Sequence, residues 1–223
     1  MPLNPILIKT IVTTDMGIQI ARKYGVTTID VLTGFKYIGE QISMLDRNTE
    51  TNRYVFGFEE SYGYLSGNYI RDKDGVGGAL LICEMFAYYK LRNINLIDKL
   101  NELYDTHGYY LNTLHSFSFE GYEGLSKMQS IMTRFRKQLN KNDTIAGKQI
   151  ISKFDFLKGI NGLPSSDVIK FYIQDSCSLV VRPSGTEPKL KIYISVVGNC
   201  KTDAATLENK IKTSVEEFLE EMD

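Results

Sequence analysis

Hydrogen-bond donors are concentrated near the C-terminal end of the chain, in the stretch RPSGTEPK at residues 182–189. An anion such as phosphate takes many hydrogen bonds from one side, and a loop rich in donors and shaped by Gly and Pro suits it. Pro and Gly between two strands also make an ordinary turn, so the loop alone leaves a phosphate site and a plain turn open. The candidate phosphate ligands are Arg182, Ser184, Gly185, Thr186 and Lys189.

A second candidate site lies in the first half of the chain, in GFEESYGY at residues 57–64. The carboxylates of Glu59 and Glu60 can accept hydrogen bonds from sugar hydroxyls, and the Ser61 hydroxyl can both accept and donate. This combination predicts recognition of vicinal hydroxyls on a sugar. A pair of glutamates in a solvated turn is the alternative.

Two lysines of the first half are candidates for contact with a charged substrate. Lys73, in YIRDKDG, is close to a predicted helix N-terminus and to Arg71, and positive charge on both sides favours release of its proton. Lys73 is therefore the candidate general acid or base. Asp74, next to it, is predicted to cap the helix. Lys36 follows a predicted strand end in LTGFKYIG, where a sheet crevice opens, although a lysine there is also typical of a solvated surface.

The candidate groups of the first half belong to elements that hydrophobic spacing reveals. Strands and helices alternate, which predicts parallel strands with helices packed on the sheet. The glutamate pair then follows the carboxyl end of a strand, where ligands of such sheets bind. The predicted strands cover residues 6–12, 27–34 and 53–58, and the predicted helices begin at Asp15 and cover 36–45, 76–89 and 96–107. The helix at 76–89 is apolar almost all round, so we expect it to be buried.

The second half has a different character, with alternating strands and fewer helices. An extended segment at residues 109–119 precedes a predicted helix at 122–140, and a final helix from Asp203 is expected to cover one side of a sheet. The predicted strands of that sheet are 168–173, 178–181 and 190–197. The expected fold class is therefore α/β, with a mixed-sheet α/β domain at residues 1–112 and a smaller α+β domain at 113–223.

The bulk composition narrows the function classes. The 223 residues include 26 Lys and Arg against 27 Asp and Glu, so no global field attracts nucleic acid or a membrane surface. The N-terminus lacks a signal-peptide pattern. The three cysteines, Cys83, Cys177 and Cys200, are odd in number and far apart, which favours free thiols in a reducing compartment and predicts the cytoplasm. The sequence contains no Walker A loop, GxSxG motif or metal-ligand cluster.

Four stretches in this order, TGFK, GFEESYG, RDKDG and RPSGTEPK, resemble the C-terminal half of the alpha-D-phosphohexomutases, the phosphoglucomutase and phosphomannomutase family. The resemblance implies the third, α/β domain of that family and its fourth, smaller domain, which is related to TATA-binding-protein-like folds. It also implies transfer of a phosphoryl group between two hydroxyls of one sugar phosphate. In the family this transfer uses a phosphoserine enzyme, Mg²⁺ and a bisphosphorylated intermediate, with glucose 1,6-bisphosphate as the expected activator.

The resemblance assigns roles to the candidate residues. Glu59 and Ser61 match the sugar-binding loop, Lys73 matches a proposed general acid or base, and Lys36 is near the bound sugar phosphate. The phosphate-binding loop is matched by Arg182, Ser184, Gly185 and Thr186. Phe58 precedes the first glutamate where many members have Gly, which leaves open whether Glu59 or Glu60 is the sugar ligand. Lys191 also stands where an arginine is common.

The family's serine loop and its Asp-rich metal loop have no match in the sequence. We therefore expect the chain to be the C-terminal half of a longer enzyme, to hold no metal ligands itself and to be inactive alone. The expected enzyme interconverts glucose 1-phosphate and glucose 6-phosphate, and its partner is a small sugar phosphate rather than nucleic acid or membrane. A phosphomannomutase, a phosphopentomutase and a stand-alone sugar-phosphate-binding module are the alternatives.

Overall fold

The structure, a computed structural model, describes residues 2–119, 121–160, 162–185 and 187–220. The chain divides into two compact units after His107. The predicted boundary after residue 112 lies five residues further along, inside a strand of the second unit. Among the described residues, no helix is long and apolar enough to span a membrane.

The first unit is built on a mixed sheet. Its strands are β1 (Ile6–Thr10), β2 (Thr27–Val31), β3 (Tyr54–Phe58) and β4 (Tyr64–Leu65). Its helices are α1 (Met16–Lys23), α2 (Phe35–Arg47), α3 (Gly75–Lys90) and α4 (Leu96–His107), with a short 3-10 helix at Thr51–Arg53. The strand order is β2-β1-β3-β4. Strand β1 pairs in parallel with β2 and β3, and β4 pairs antiparallel with β3, so the predicted alternation of parallel strands and helices is confirmed.

Helix α2 packs on this sheet through one apolar stripe. Its buried side chains recur at the spacing of one helical face, which is the reason this segment forms an amphipathic helix. The stripe consists of Phe35, Ile38, Ile42 and Leu45. Close approach requires Gly57 on β3, because a Cβ there would lie 2.7 Å from the Ile38 side chain. The helix therefore holds the carboxyl end of β3 in place.

A charged cluster is buried at the carboxyl end of β1. Lys9 is fully buried, and its Nζ lies 2.8 Å from Oδ1 of Asp15 and 3.0 Å from Oδ1 of Asp30. The same ammonium group donates to the carbonyl oxygens of Thr13, at 3.0 Å, and Thr10, at 3.2 Å. A buried charge is tolerated only when it is paired and hydrogen-bonded, and Lys9 meets both conditions. The cluster thereby fixes the backbone that follows β1.

The prediction that the apolar helix α3 is buried is wrong. Gly78 is its buried residue, whereas Val76 is 83% exposed and Leu80 is 62% exposed. The helix packs against β4, which has two residues and is too short to cover sixteen. An apolar composition predicts that a helix prefers burial, but it does not show whether the fold has a surface that covers the helix.

The second unit is an antiparallel sheet with two long helices. Its strands are β5 (Tyr109–Ser118), β6 (Thr144–Ile145), β7 (Lys148–Asp155), β8 (Ile169–Ile173), β9 (Cys177–Pro183) and β10 (Lys189–Gly198). Its helices are α5 (Gly121–Gln138) and α6 (Lys201–Glu220), with a 3-10 helix at Phe156–Lys158. The strand order is β5-β10-β9-β8-β7-β6, and each neighbouring pair is antiparallel. The sequence predicted both long helices and missed β6 and β7.

The core of the second unit joins the sheet to both helices. The Phe135 ring on α5 lies 4.6 Å from the Phe218 ring on α6 and 6.3 Å from the Phe171 ring on β8, measured between centroids. Residues 109–112 belong to this unit because β5 pairs with β10 along its whole length. The α/β unit followed by an α+β unit confirms the expected fold class.

The Lys9 cluster gives a stability prediction. Lys9→Met is expected to lower the free energy of unfolding by about 3–5 kcal/mol, because it leaves two carboxylates without their buried cation. Lys23→Met, the same change at an exposed position of α1, is expected to alter it by about 0.5 kcal/mol or less. Urea denaturation of both variants measures the difference. Equal stability of the two variants would contradict the role assigned to Lys9.

Candidate functional site

The loop after β3 is attached to the end of β1. The Thr10 hydroxyl donates to Oε2 of Glu60 at 2.8 Å, and the Thr13 hydroxyl donates to the same oxygen at 3.2 Å. The two hydroxyl oxygens are 2.7 Å apart. Both threonines are buried, with Thr10 fully so, whereas Glu60 is exposed. Side chains thus join the carboxyl ends of two parallel strands, and ligands of α/β folds bind outside the carboxyl ends of the strands.

Glu59 differs from its neighbour. The residue is 8% exposed, and none of the described residues forms a hydrogen bond or ion pair with its carboxylate. Its oxygens are not among the fully buried atoms that lack a partner, so they reach solvent. The Glu59 amide donates to the Gly63 carbonyl oxygen at 3.0 Å, which closes a tight turn. A Cβ at Gly63 would lie 2.6 Å from Oε1 of Glu59, so any larger residue here would move the Glu59 side chain. Within the turn, Ser61 is exposed and Tyr62 has a positive φ of 64°.

The loop before α3 caps that helix as predicted. Oδ1 of Asp74 accepts hydrogen bonds from the amides of Val76 and Gly77, each at 3.0 Å. The Tyr69 hydroxyl donates to the other carboxylate oxygen. These donors, the tyrosine above all, lower the pKa of Asp74 below its usual value. Asp74 is therefore a structural cap at the edge of the site.

The expected crowding of Lys73 by Arg71 is not found. Arg71 reaches α2 instead, where it lies 3.0 Å from Oδ2 of Asp46 and donates to the Ser43 hydroxyl at 3.1 Å. Its backbone packs so closely on α2 that a Cβ at Gly39 would lie 2.1 Å from the Arg71 carbonyl oxygen. The Lys73 side chain is 54% exposed, and its Nζ is 3.4 Å from Oδ1 of Asp72.

Lys36 lies in the first turn of α2. It is exposed, and its Nζ is 4.8 Å from the centre of the Tyr37 ring. Gly34 precedes the helix with a φ of 118°, a backbone conformation that favours glycine. Lys36 therefore follows the carboxyl end of β2, as the sequence predicted.

The loop RPSGTEPK is the turn of the β9–β10 hairpin. Arg182 and Lys191 are cross-strand partners, so they lie on the same face of the sheet. The Ser184 amide donates to the Lys189 carbonyl oxygen at 2.7 Å, and Lys189 Nζ is 3.2 Å from Oε2 of Glu187. Three cationic side chains thus belong to the end of one hairpin. Thr186, the remaining predicted phosphate ligand, lies outside the described residues.

Gly185 has no structural need to be a glycine. It is exposed, a Cβ built on it meets no atom within 4 Å, and its φ lies outside the range that L-residues avoid. Close approach of a ligand to the backbone is another reason for glycine in a loop. This observation favours an anion site over an ordinary turn.

The sequence did not predict three residues that contribute to the candidate site of the first unit, namely Lys9, Thr10 and Thr13. A signal was present in ILIKTIVTT, where one lysine interrupts an otherwise apolar and β-branched strand. Lysine is almost never fully buried unless paired, so its position in a core strand indicates a buried cluster.

Metal ligands are not assembled in the part of the chain that the structure describes. No group of three or more His, Cys, Asp or Glu side chains there could hold a metal ion. Asp15 and Asp30 share the Lys9 ammonium, which occupies the position between them and offsets one of their two charges. The described residues therefore do not fit Mg²⁺.

The chain is similar in sequence to known phosphoglucomutases and phosphomannomutases. Residues 2–107 match the family model described as phosphoglucomutase/phosphomannomutase, alpha/beta/alpha domain III. A phosphoglucomutase of Staphylococcus aureus (strain USA300) is 37% identical over 203 residues, which cover 86% of this chain and 36% of that protein. The chain therefore spans about a third of the length of this relative.

Solved structures share the fold. Paramecium parafusin, an exocytosis-sensitive phosphoprotein and phosphoglucomutase, superposes with a TM-score of 0.68 at 18% identity, covering 95% of this chain and 38% of its own. A phosphoglucomutase/phosphomannomutase family protein of Burkholderia thailandensis gives a TM-score of 0.54 at 12% identity, covering 96% and 38%. At these identities the likeness establishes the fold alone.

Gly185→Ala tests the hairpin turn as an anion site. We expect the melting temperature to stay unchanged, because the added methyl group enters open space, and the affinity for inorganic phosphate to fall. Gly198→Ala is the control: its Cβ would lie 2.5 Å from the Ala204 amide nitrogen, so stability falls while the folded fraction keeps its phosphate affinity. Calorimetry with phosphate measures both. Unchanged affinity of Gly185→Ala would contradict backbone approach by an anion.

Proposed function

The chain belongs to the phosphoglucomutase/phosphomannomutase family through its domain III, and from this we propose that it is the substrate-binding part of an enzyme that interconverts glucose 1-phosphate and glucose 6-phosphate. The observation that carries the proposal is Glu59, a carboxylate that is 8% exposed and has no partner among the described residues. A carboxylate without a protein partner can accept hydrogen bonds from the hydroxyl groups of a ligand.

The first unit recognises the sugar in this proposal. Glu59 accepts hydrogen bonds from vicinal hydroxyls, and the exposed Ser61 both donates and accepts beside it. Lys36 follows the end of a neighbouring parallel strand and offers a cation to the sugar phosphate. Lys73 is the general acid or base, and its exposure leaves it free to exchange a proton with substrate or solvent.

The second unit binds the phosphate group. Arg182 and Lys189 offer charge-assisted hydrogen bonds at the end of the hairpin, and Gly185 lets the anion approach the backbone. Ser184 and Thr186 add hydroxyl donors. These side chains bind and orient one end of a sugar phosphate, which is the part of phosphoryl transfer that depends on positioning.

The chemical step needs a metal site that the described residues do not assemble. The family resemblance implies a phosphoserine, Mg²⁺ and glucose 1,6-bisphosphate, and we propose that the full-length enzyme supplies the serine and the metal site elsewhere. No step assigned to the described residues runs through the metal, since they do not fit it. The three free cysteines accord with a cytoplasmic enzyme, which we also propose.

Arg182→Ala tests the phosphate role. We expect the affinity for inorganic phosphate to fall by about tenfold or more, because alanine cannot replace charge-assisted hydrogen bonds of roughly 1.5–3 kcal/mol each. Arg182→Lys keeps the charge but not the paired geometry, so its phosphate affinity is expected to lie between those of the wild type and Arg182→Ala. Calorimetry measures affinity and a thermal melt measures stability. A collapse of the melting temperature with unchanged affinity in the folded fraction would make Arg182 structural.

Glu59→Gln and Ser61→Ala test sugar recognition. Both are expected to weaken binding of glucose 1-phosphate and to reduce its preference over mannose 1-phosphate, because a site built for hydroxyls loses a partner. Inorganic phosphate should bind as before, since the phosphate loop is in the other unit. Calorimetry with the three ligands separates the effects. If neither substitution mattered, the loop would be a solvated turn and the assignment of a sugar substrate would fail.

A further inference from the structure

We propose that Glu60 is a positioning residue, which Thr10 and Thr13 hold so that the neighbouring Glu59 and Ser61 face the substrate. The inference rests on the proposed sugar-binding function and assigns a role to a glutamate that the sequence could not separate from Glu59. Two buried hydroxyls converge on one oxygen, Oε2 of Glu60, at 2.8 and 3.2 Å. We call these three side chains the threonine clasp.

The donors of the clasp are themselves fixed. Thr10 and Thr13 belong to a turn in which the Thr13 amide donates to the Thr10 carbonyl oxygen at 3.1 Å. Both carbonyl oxygens accept from Lys9 Nζ, which is fully buried and lies beside two carboxylates. Because the backbone of the turn is held from the inside, its hydroxyls have little freedom to follow a moving partner. Glu60 must come to them.

The acceptor needs the clasp as much as the donors do. Glu60 is exposed, and an exposed glutamate side chain samples many rotamers unless it is bonded. If Glu60 moved away, the two hydroxyls could still bond each other at 2.7 Å, but one of their two protons would lose its acceptor, and an unsatisfied buried hydroxyl is costly. Fixing Glu60 also fixes the peptide on either side of it, which carries Glu59 and Ser61.

The turn itself shows why an anchor is needed. Tyr62 has a φ of 64°, which is uncommon for a residue other than glycine, and Gly63 leaves room for the carboxylate of Glu59. A non-glycine residue in this region costs free energy that the surroundings must offset. The clasp is a contact of the turn with the rest of the fold that provides such an offset.

The first experiment measures the clasp without any sugar. Amide hydrogen exchange in residues 59–63 is compared between the wild-type 223-residue chain and the double variant Thr10→Val/Thr13→Val. Valine keeps the shape of threonine and removes the hydroxyl, so we expect these amides to exchange roughly five- to tenfold faster, the equivalent of one or two lost hydrogen bonds. Unchanged exchange would overturn the proposal whether or not the chain binds sugar.

Thr28→Val is the matched control. The Thr28 hydroxyl is also buried in the first unit, on β2, and it has no hydrogen-bond partner in the part of the chain that the structure describes. The same substitution there is expected to leave exchange of residues 59–63 unchanged. Thr13→Ser keeps the hydroxyl and removes only the methyl group, so we expect the amides of residues 59–63 to exchange as slowly as in the wild type. A role in packing alone would predict faster exchange. Equal acceleration by Thr28→Val would mean that any altered threonine loosens the unit, and the clasp would have no special role.

The second experiment separates positioning from direct contact with the sugar. Glucose 1-phosphate affinity is measured by calorimetry for Glu60→Met, for Thr10→Val/Thr13→Val and for the triple variant. If Glu60 acts through the threonines, each change weakens binding by about five- to tenfold and the triple variant is no weaker than either, since the effects of one network do not add. Inorganic phosphate affinity should stay within about twofold of wild type in all of them.

The results of the second experiment distinguish a positioning role of Glu60 from direct contact with the sugar. A further loss on adding Glu60→Met to the threonine variant would show that Glu60 touches the sugar, and the positioning role would be wrong. Threonine variants that bind glucose 1-phosphate like wild type would also overturn it. If the wild-type chain bound inorganic phosphate but not glucose 1-phosphate, the proposed function would fail, while hydrogen exchange would still decide whether the clasp exists.

Discussion

The first unit is organised around one buried ammonium group. Lys9 lies in the central part of the sheet with no exposed surface, and the free-energy cost of removing its charge from water has to be offset locally. Two carboxylates and two carbonyl oxygens within 3.2 Å provide the offset. They come from β2 and from the turn after β1, so satisfying Lys9 fixes that turn. The site follows from this constraint, because Thr10 and Thr13 accept from Lys9 through their carbonyls and donate to Glu60 through their hydroxyls.

The second unit separates its core from its charged hairpin end. Val181 and Ile192 are paired across β9 and β10 and point into the apolar core beneath the helices. The next pair, Arg182 and Lys191, lies on the opposite face because side chains alternate along a strand. The alternation of side chains along β9 and β10 thus separates apolar packing from the charged face that the proposed anion site would use.

The sequence predicts the elements whose spacing is regular and fails where tertiary contacts decide. Helix α2 and strand β10 were found because their apolar residues follow one period without interruption. Strand β7, KQIISKFD, was missed because its apolar residues do not alternate: Ile150 and Ile151 are adjacent, and the register shifts between Ile150 and Ser152. Helix α3 was expected to be buried, but its apolar composition predicts only a preference for burial and not the presence of a surface that covers it. The clasp was not predicted because it joins residues 47 and 50 positions apart.

The difference between Glu59 and Glu60 is more informative than the motif that contains them. Both residues are acidic, adjacent and in one turn, so composition and spacing treat them alike. The fold bonds the exposed Glu60 twice and leaves the nearly buried Glu59 without a partner among the described residues. A carboxylate without a protein partner, just after the carboxyl end of a parallel strand, is available to a ligand. The asymmetry therefore favours Glu59 over Glu60 as the group available to the proposed substrate.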